Sequence, residues 1–113
     1  HLLEKDNNKE DLSKRYKKKE PARTIEVDLH INQLVDSVIG MSNADIIQKQ
    51  MAVFHETMTK AVDSKAAKVI LIHGIGNGTL KEKLRESLTH HYKLLFEDAS
   101  FREYGFGATM VIL

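Results

Sequence analysis

Cysteine is absent from these 113 residues. That excludes disulfides and thiolate metal sites, and makes a reducing, cytoplasmic setting the expected one. Proline occurs once, as Pro21, ahead of every regular apolar pattern. No apolar run is long enough to cross a bilayer, and no charged-then-apolar leader is seen, so no membrane role is expected. A surplus of positive charge is lacking too: the formal net charge is +1. Any nucleic-acid function must therefore rest on local placement of charge rather than on a globally basic surface.

What is present fits one small domain with one core. Residues 1–23 are polar and charged and include the basic run Lys14-Arg15-Tyr16-Lys17-Lys18-Lys19. Few apolar residues could dock them, so they are expected to form a disordered tether. The basic run reads either as a solvated linker or as an arm that touches phosphates. The folded domain is expected over 24–113. The chain begins His1-Leu2-Leu3 and ends on the strand-like Met110-Val111-Ile112-Leu113, and is expected to be the C-terminal piece of a longer parent protein.

Period-two alternation runs from Thr24 to His30. Ile25, Val27 and Leu29 share one face; Glu26, Asp28 and His30 share the other, as in a half-buried strand. Ile31 to Met41 reads as a loop or a short helix. Ser42-Asn43 offers helix caps, and Ile47, Met51, Phe54, Met58, Ala61 and Val62 recur at helical spacing to about Asp63. Val69-Ile70-Leu71-Ile72 suits a central strand buried on both faces. A second helix is expected from about Thr79 to His91 on a Leu80, Leu84, Leu88 stripe. Strands from about Lys93 to Glu97 and from Gly107 to Leu113 follow, with a loop over Asp98 to Gly105. The order β-α-β-α-β-β predicts an α/β fold, with the first two strands parallel and the last two antiparallel in a mixed sheet.

The strongest chemical signal is His73-Gly74-Ile75-Gly76-Asn77-Gly78, set between a strand and a helix. Its glycines let backbone approach a ligand, and the helix beginning there favours an anion such as phosphate. Lys81 and Lys83 add charge. The spacing is neither that of a Walker A loop nor that of a dinucleotide fingerprint, and a plain strand-to-helix turn would also want glycine. The second signal is Asp28-Leu29-His30. If the first two strands are adjacent and parallel, Asp28, His30 and His73 meet the glycine loop at the carboxyl edge of the sheet, where open α/β sheets bind ligands. Imidazole titrates near neutrality and suits general acid–base work. Asp28 could orient His30 or hold a divalent cation such as Mg²⁺; no metal site is assigned, and His30 reads equally well as a loop anchor. His55 reads as structural, and His90-His91 as charge complementing a helix end. Arg102 and an aromatic in the last loop could stack on a splayed base, but Phe106 is expected in the core.

Three segments in order resemble the Smr (small MutS-related) family, found at the C-terminus of MutS-type and other larger bacterial proteins. They are Val27-Asp28-Leu29-His30, His73-Gly74-Ile75-Gly76-Asn77-Gly78-Thr79-Leu80-Lys81 and Gly107-Ala108-Thr109-Met110-Val111-Ile112-Leu113. The resemblance implies a two-layer sandwich, a four-stranded mixed sheet with two helices on one face, like the C-terminal domain of a bacterial translation initiation factor. It implies DNA or RNA as partner, with the ribosome among the settings in which members act, and endonuclease activity in some members. By the same resemblance Asp28 and His30 match the segment proposed to be catalytic. His73, Gly74, Gly76 and Gly78 match the substrate-binding loop, and Asn77 and Lys81 lie within that segment. Two positions depart from the pattern. Ile31 stands where the family has glycine and opens an unusual stretch to Met41, which could cover the site; Lys81 replaces an arginine and loses the bidentate fork.

These residues leave three functions open: a phosphodiester-cleaving nuclease using Asp28, His30 and His73; a non-catalytic module that holds nucleic acid or ribosome; and a protein-interaction domain serving the parent chain.

Overall fold

The computed structural model describes residues 23–113; the expected tether, 1–22, with its basic run lies outside them. The alternating segment forms β1 (Thr24–Asp28), and a single turn, α1 (Ile31–Leu34), follows at once. The long helix α2 (Asn43–Asp63) starts at Ser42 through a reciprocal cap. Asp45 N donates to Ser42 Oγ (3.1 Å), and Ser42 N donates to Asp45 Oδ2 (3.0 Å), which satisfies two donors that helix geometry leaves unpaired. Then come β2 (Lys68–Ile72) and α3 (Thr79–Ser87), which loosens into a π-type turn over Leu88–Tyr92. Lys93 takes a positive φ of 55° and ends that turn. The third strand therefore begins two residues later than expected, as β3 (Leu95–Asp98). A second single-turn helix, α4 (Phe101–Tyr104), occupies the expected loop, and β4 (Ala108–Ile112) completes the sheet.

The sheet order is β1-β2-β4-β3. β1 lies parallel to β2, with Asp28 opposite Ile72, and β4 is antiparallel to both β2 and β3. The mixed sheet is as expected. Its two faces are covered unequally. Leu29, Val69, Leu71 and Val111 point to the face that carries α2 and α3 and join Phe54, Met58, Leu80, Leu84 and Leu88 in the main core. The opposite face holds a small cluster of Ile70, Ala99 and Ala108, flanked by Ile72, Met110 and Tyr104 of α4. Tyr104 donates its hydroxyl hydrogen bond to Glu26 of β1, so α4 is strapped across this second face. The carboxylate partner pushes the Tyr104 phenol up to about 12.

Two expectations about burial change. Val62 is exposed rather than core-facing, because α2 is ending there and its stripe closes at Ala61. Phe106 is exposed as well, since α4 spends Tyr104, not Phe106, on the sheet. Among the described residues no helix is long and apolar enough to cross a membrane.

Candidate functional site

The pairing of β1 with β2 brings their tips side by side. Leu29 N donates to Ile72 O (2.8 Å), carrying the ladder one residue past the strand end. Gln50, buried on α2, donates through Nε2 to Leu29 O (2.9 Å) and fixes the chain just before His30. Asp28 and His30 project together on the face away from α2, as alternation requires. The Asp28 Oδ1 atom accepts from His30 N (2.9 Å) and lies 2.6 Å from His30 Nδ1. A carboxylate oxygen only accepts, so the close Nδ1 carries the hydrogen and the lone pair of the neutral ring is at Nε2. The two side chains are 53% and 42% exposed for His30 and Asp28. The stretch from Ile31 to Met41 therefore does not cover them.

Nε2 of His30 lies over Gly74. A Cβ built on Gly74 would stand 2.7 Å from it, and Gly74 has a φ of +77°. Both facts exclude a side chain here: the space is taken by the imidazole, and the backbone conformation is costly for an L residue. On its other side Gly74 meets Gly107, whose own Cβ would come 3.3 Å from Gly74 Cα. Gly107 O accepts from both His73 N and Gly74 N, each at 2.9 Å. The glycine loop is thus gripped between the tip of β1 and the entry to β4.

His73 is placed differently from His30. It is 7% exposed and turns to the helix-covered face, next to Thr109. Its Nδ1 is 2.7 Å from Gly74 O and its Nε2 is 2.9 Å from Thr109 Oγ1. A carbonyl can only accept, so Nδ1 carries the hydrogen. Nε2 of the neutral ring then accepts from the Thr109 hydroxyl. That hydroxyl in turn accepts from Arg85 Nε (3.1 Å) and Nη2 (2.9 Å). Arg85 is held by Asp98 (2.5 Å) and by the ring of Phe96, 5.0 Å away. Burial, followed by the positive charges of Lys81 and Arg85, holds the His73 imidazole below its ordinary value, against the opposing pull of the Gly74 carbonyl. The Arg85 hydrogen bond holds the Asp98 carboxyl below its own.

The expected site residues therefore fall into two groups separated by Gly74. Asp28 and His30 meet the loop from one face of the sheet. From the other, His73, Gly74, Gly76, Asn77, Gly78 and Lys81 line a cavity of about 180 Å³ that also reaches Ile47 and Gln50 of α2. Asn77 Oδ1 accepts from Thr79 N (3.0 Å) and ties the loop to the start of α3. Lys81 Nζ lies 3.9 Å from Asp98. Lys83 stands apart, in a groove of about 710 Å³ between α2 and α3. Among the described residues no three His, Cys, Asp or Glu converge as a metal cluster. Asp28 Oδ2 is the oxygen left to enter a cation's coordination. His55 Nδ1 and Tyr92 OH bond at 2.7 Å, tying α2 to the end of the second helix. Burial, then the charge of His91, holds the His55 imidazole low.

Sequence reasoning gave no role to Arg85, Asp98, Gln50 or Thr109. Thr109 had a signal, because it sits inside the Gly107-Ala108-Thr109 segment; the others lie in ordinary helical or strand contexts.

A mixed sheet with a glycine loop leading from a strand tip into a helix defines a class of small α/β domain whose loop amides can face an anion. The Smr domain profile matches residues 38–113, and the chain belongs to that family. Among solved structures it is similar to the Smr domain of Thermus thermophilus MutS2, at 27% identity and a TM-score of 0.61, covering 79% of this chain and 96% of that one. The structural likeness spans a longer stretch than the profile match, which begins after β1. A search of curated proteins finds no match.

Proposed function

We propose that residues 24–113 form an Smr domain that binds nucleic acid in the cytoplasm at the β1–β2 sheet edge and cleaves a phosphodiester there. The observation that carries this reading is the Asp28–His30 pair: a carboxylate 2.6 Å from Nδ1 leaves Nε2, on a half-exposed ring, lying over Gly74. A phosphate at Gly74, the residue the two groups share, would have His30 Nε2 on one side and the loop N–H groups and the positive end of α3 on the other. His30 Nε2 then accepts a proton from an attacking water as its oxygen bonds to phosphorus. The ester P–O bond breaks, and the leaving oxygen takes its proton from solvent. Asp28 stabilises the imidazolium that forms, and loop amides stabilise the equatorial oxygens. His73, with both nitrogens engaged, holds the loop rather than exchanging protons. DNA and RNA, free or on the ribosome, are the substrates this geometry would accept.

Nicking of plasmid DNA and of structured RNA by the 113-residue chain, with and without added divalent cation, tests the reading. Asp28→Asn should lower the cleavage rate by about 10²-fold or more while leaving binding in place. A wild-type chain that binds strands in a salt-dependent manner and cuts none under any condition is a holding module instead.

A further inference from the structure

The last loop leaves two aromatic rings bare next to this site. Phe101 and Phe106 are 63% and 64% exposed, with ring centroids 4.7 Å apart and planes tilted by 58°. They bracket α4, which Tyr104 pins to the sheet through Glu26 and through the cluster around Ile70. The rings are thus presented by an anchored element. Between them Arg102 is exposed.

The contact of Gly107 with Gly74, and of Phe101 with Phe106, places these rings near the same edge. Asp28, Ile72 and Ala108 lie across from one another in the sheet. The next row outward is Leu29, His73 and Gly107, linked by the Leu29 N to Ile72 O and His73 N to Gly107 O bonds. Beyond that row the ladder stops: Gly74 N also donates to Gly107 O, and Gly107 packs on Gly74 Cα. Phe106 is joined directly to Gly107 and so stands one residue from that contact with Gly74. A strand of nucleic acid with one phosphate at Gly74 therefore has a neighbouring base within reach of Phe106.

We propose that Phe101 and Phe106 form a stacking platform for an unpaired base, which makes single-stranded or locally unpaired nucleic acid the substrate class of this site. The inference rests on the nucleic-acid reading above. Every base has a face that can stack on an aromatic ring, so such a platform grips without choosing sequence. A base inside a duplex is already stacked on its neighbours and has no face to offer. Arg102 adds a cation that can meet a phosphate or lie against a base.

The experiment is binding of the 113-residue chain to a labelled single strand of about 12 nucleotides and to the matching duplex, read by fluorescence anisotropy. A second strand carries 2-aminopurine, whose emission falls when it stacks. The Phe101→Ala/Phe106→Ala double variant removes only exposed rings. It should lose about tenfold or more in affinity for the single strand, keep its duplex affinity, and abolish the 2-aminopurine quenching. Phe106→Trp should keep both affinity and quenching. Unchanged single-strand affinity in the double variant overturns the platform alone; so does an equal loss for strand and duplex. A dimer that the double variant dissociates, with strand affinity intact, assigns the rings to a second copy of the chain and also overturns it. A wild-type chain that binds neither strand nor duplex overturns the site reading itself.

Discussion

His30 and His73 stand at neighbouring positions past the tips of two parallel strands, yet they occupy opposite chemical situations. His30 lies on the open face, with one nitrogen held by Asp28 and the other over Gly74. His73 lies on the covered face, with one nitrogen on the Gly74 carbonyl and the other on Thr109. Side chains one step out of phase along a strand emerge on opposite sides of the sheet. Here that single step separates a half-exposed ring that rests over the loop from a buried ring that fastens it. The two meet only through Gly74, whose missing side chain lets the exposed imidazole sit directly on the backbone that the buried one holds.

Exchanging the two histidines for alanine breaks the comparison most sharply. His30→Ala should cut phosphodiester cleavage by about 10²–10⁴-fold and change unfolding free energy by no more than about 0.5 kcal/mol. His73→Ala should cost about 1–3 kcal/mol of stability, because it leaves the hydrogen of the buried Thr109 hydroxyl and a loop carbonyl without their partner. Denaturant unfolding beside a nicking assay reads both. Equal stability losses, or a His73 variant that folds as wild type and merely stops cutting, would show the division of labour to be wrong.

Gly74→Ala should act on both histidines at once. The added methyl meets His30 Nε2 and forces a side chain onto a φ of +77°. We expect a loss of about 1–2 kcal/mol in stability together with weaker cleavage, measured on the same two assays. A variant with wild-type cleavage would show that His30 does not need its seat over the loop.

The smallest expected effect is on pH dependence. His73 and His55 are both held below the ordinary value of 6.5. Between their folded and unfolded values the unfolded chain binds more protons, so stability rises with pH through that window. Stability from this source is fully present above 6.5 and drains away as the pH falls below it, levelling once the folded values are passed. The thermal midpoint should be flat from about pH 8 to 7 and decline towards pH 5. His73→Ala should flatten part of that decline; an unchanged slope would mean that the buried ring is not kept neutral.

Part of the candidate site's layout was legible in the sequence, for a definite reason. In β1, apolar and polar residues alternate, so Asp28 and His30 could be put on one face before any coordinates. In β2 the run Val69-Ile70-Leu71-Ile72 is apolar throughout, because the strand is covered on both sides. A run of that kind carries no face information, and so the side on which His73 emerges could not be read. The single turn α1 was legible only as a loop or a short helix and α4 not at all, since four residues are too few to display a helical period. Phe106 was expected inside on hydrophobicity alone, but its exposure depends on which residue of α4 the sheet accepts, and that residue is Tyr104.

By itself the sequence determined the order of elements, the mixed sheet, the family motifs and the shared face of Asp28 and His30, because local periodicity and spacing encode these directly. Only the tertiary structure decided that His73 is locked by Thr109 and Arg85, that Gly74 separates the two imidazoles, and that two phenylalanines are left bare near the same edge. Each of those outcomes depends on contacts between residues far apart in the chain, where what a side chain does is settled by the partner that folding brings to it.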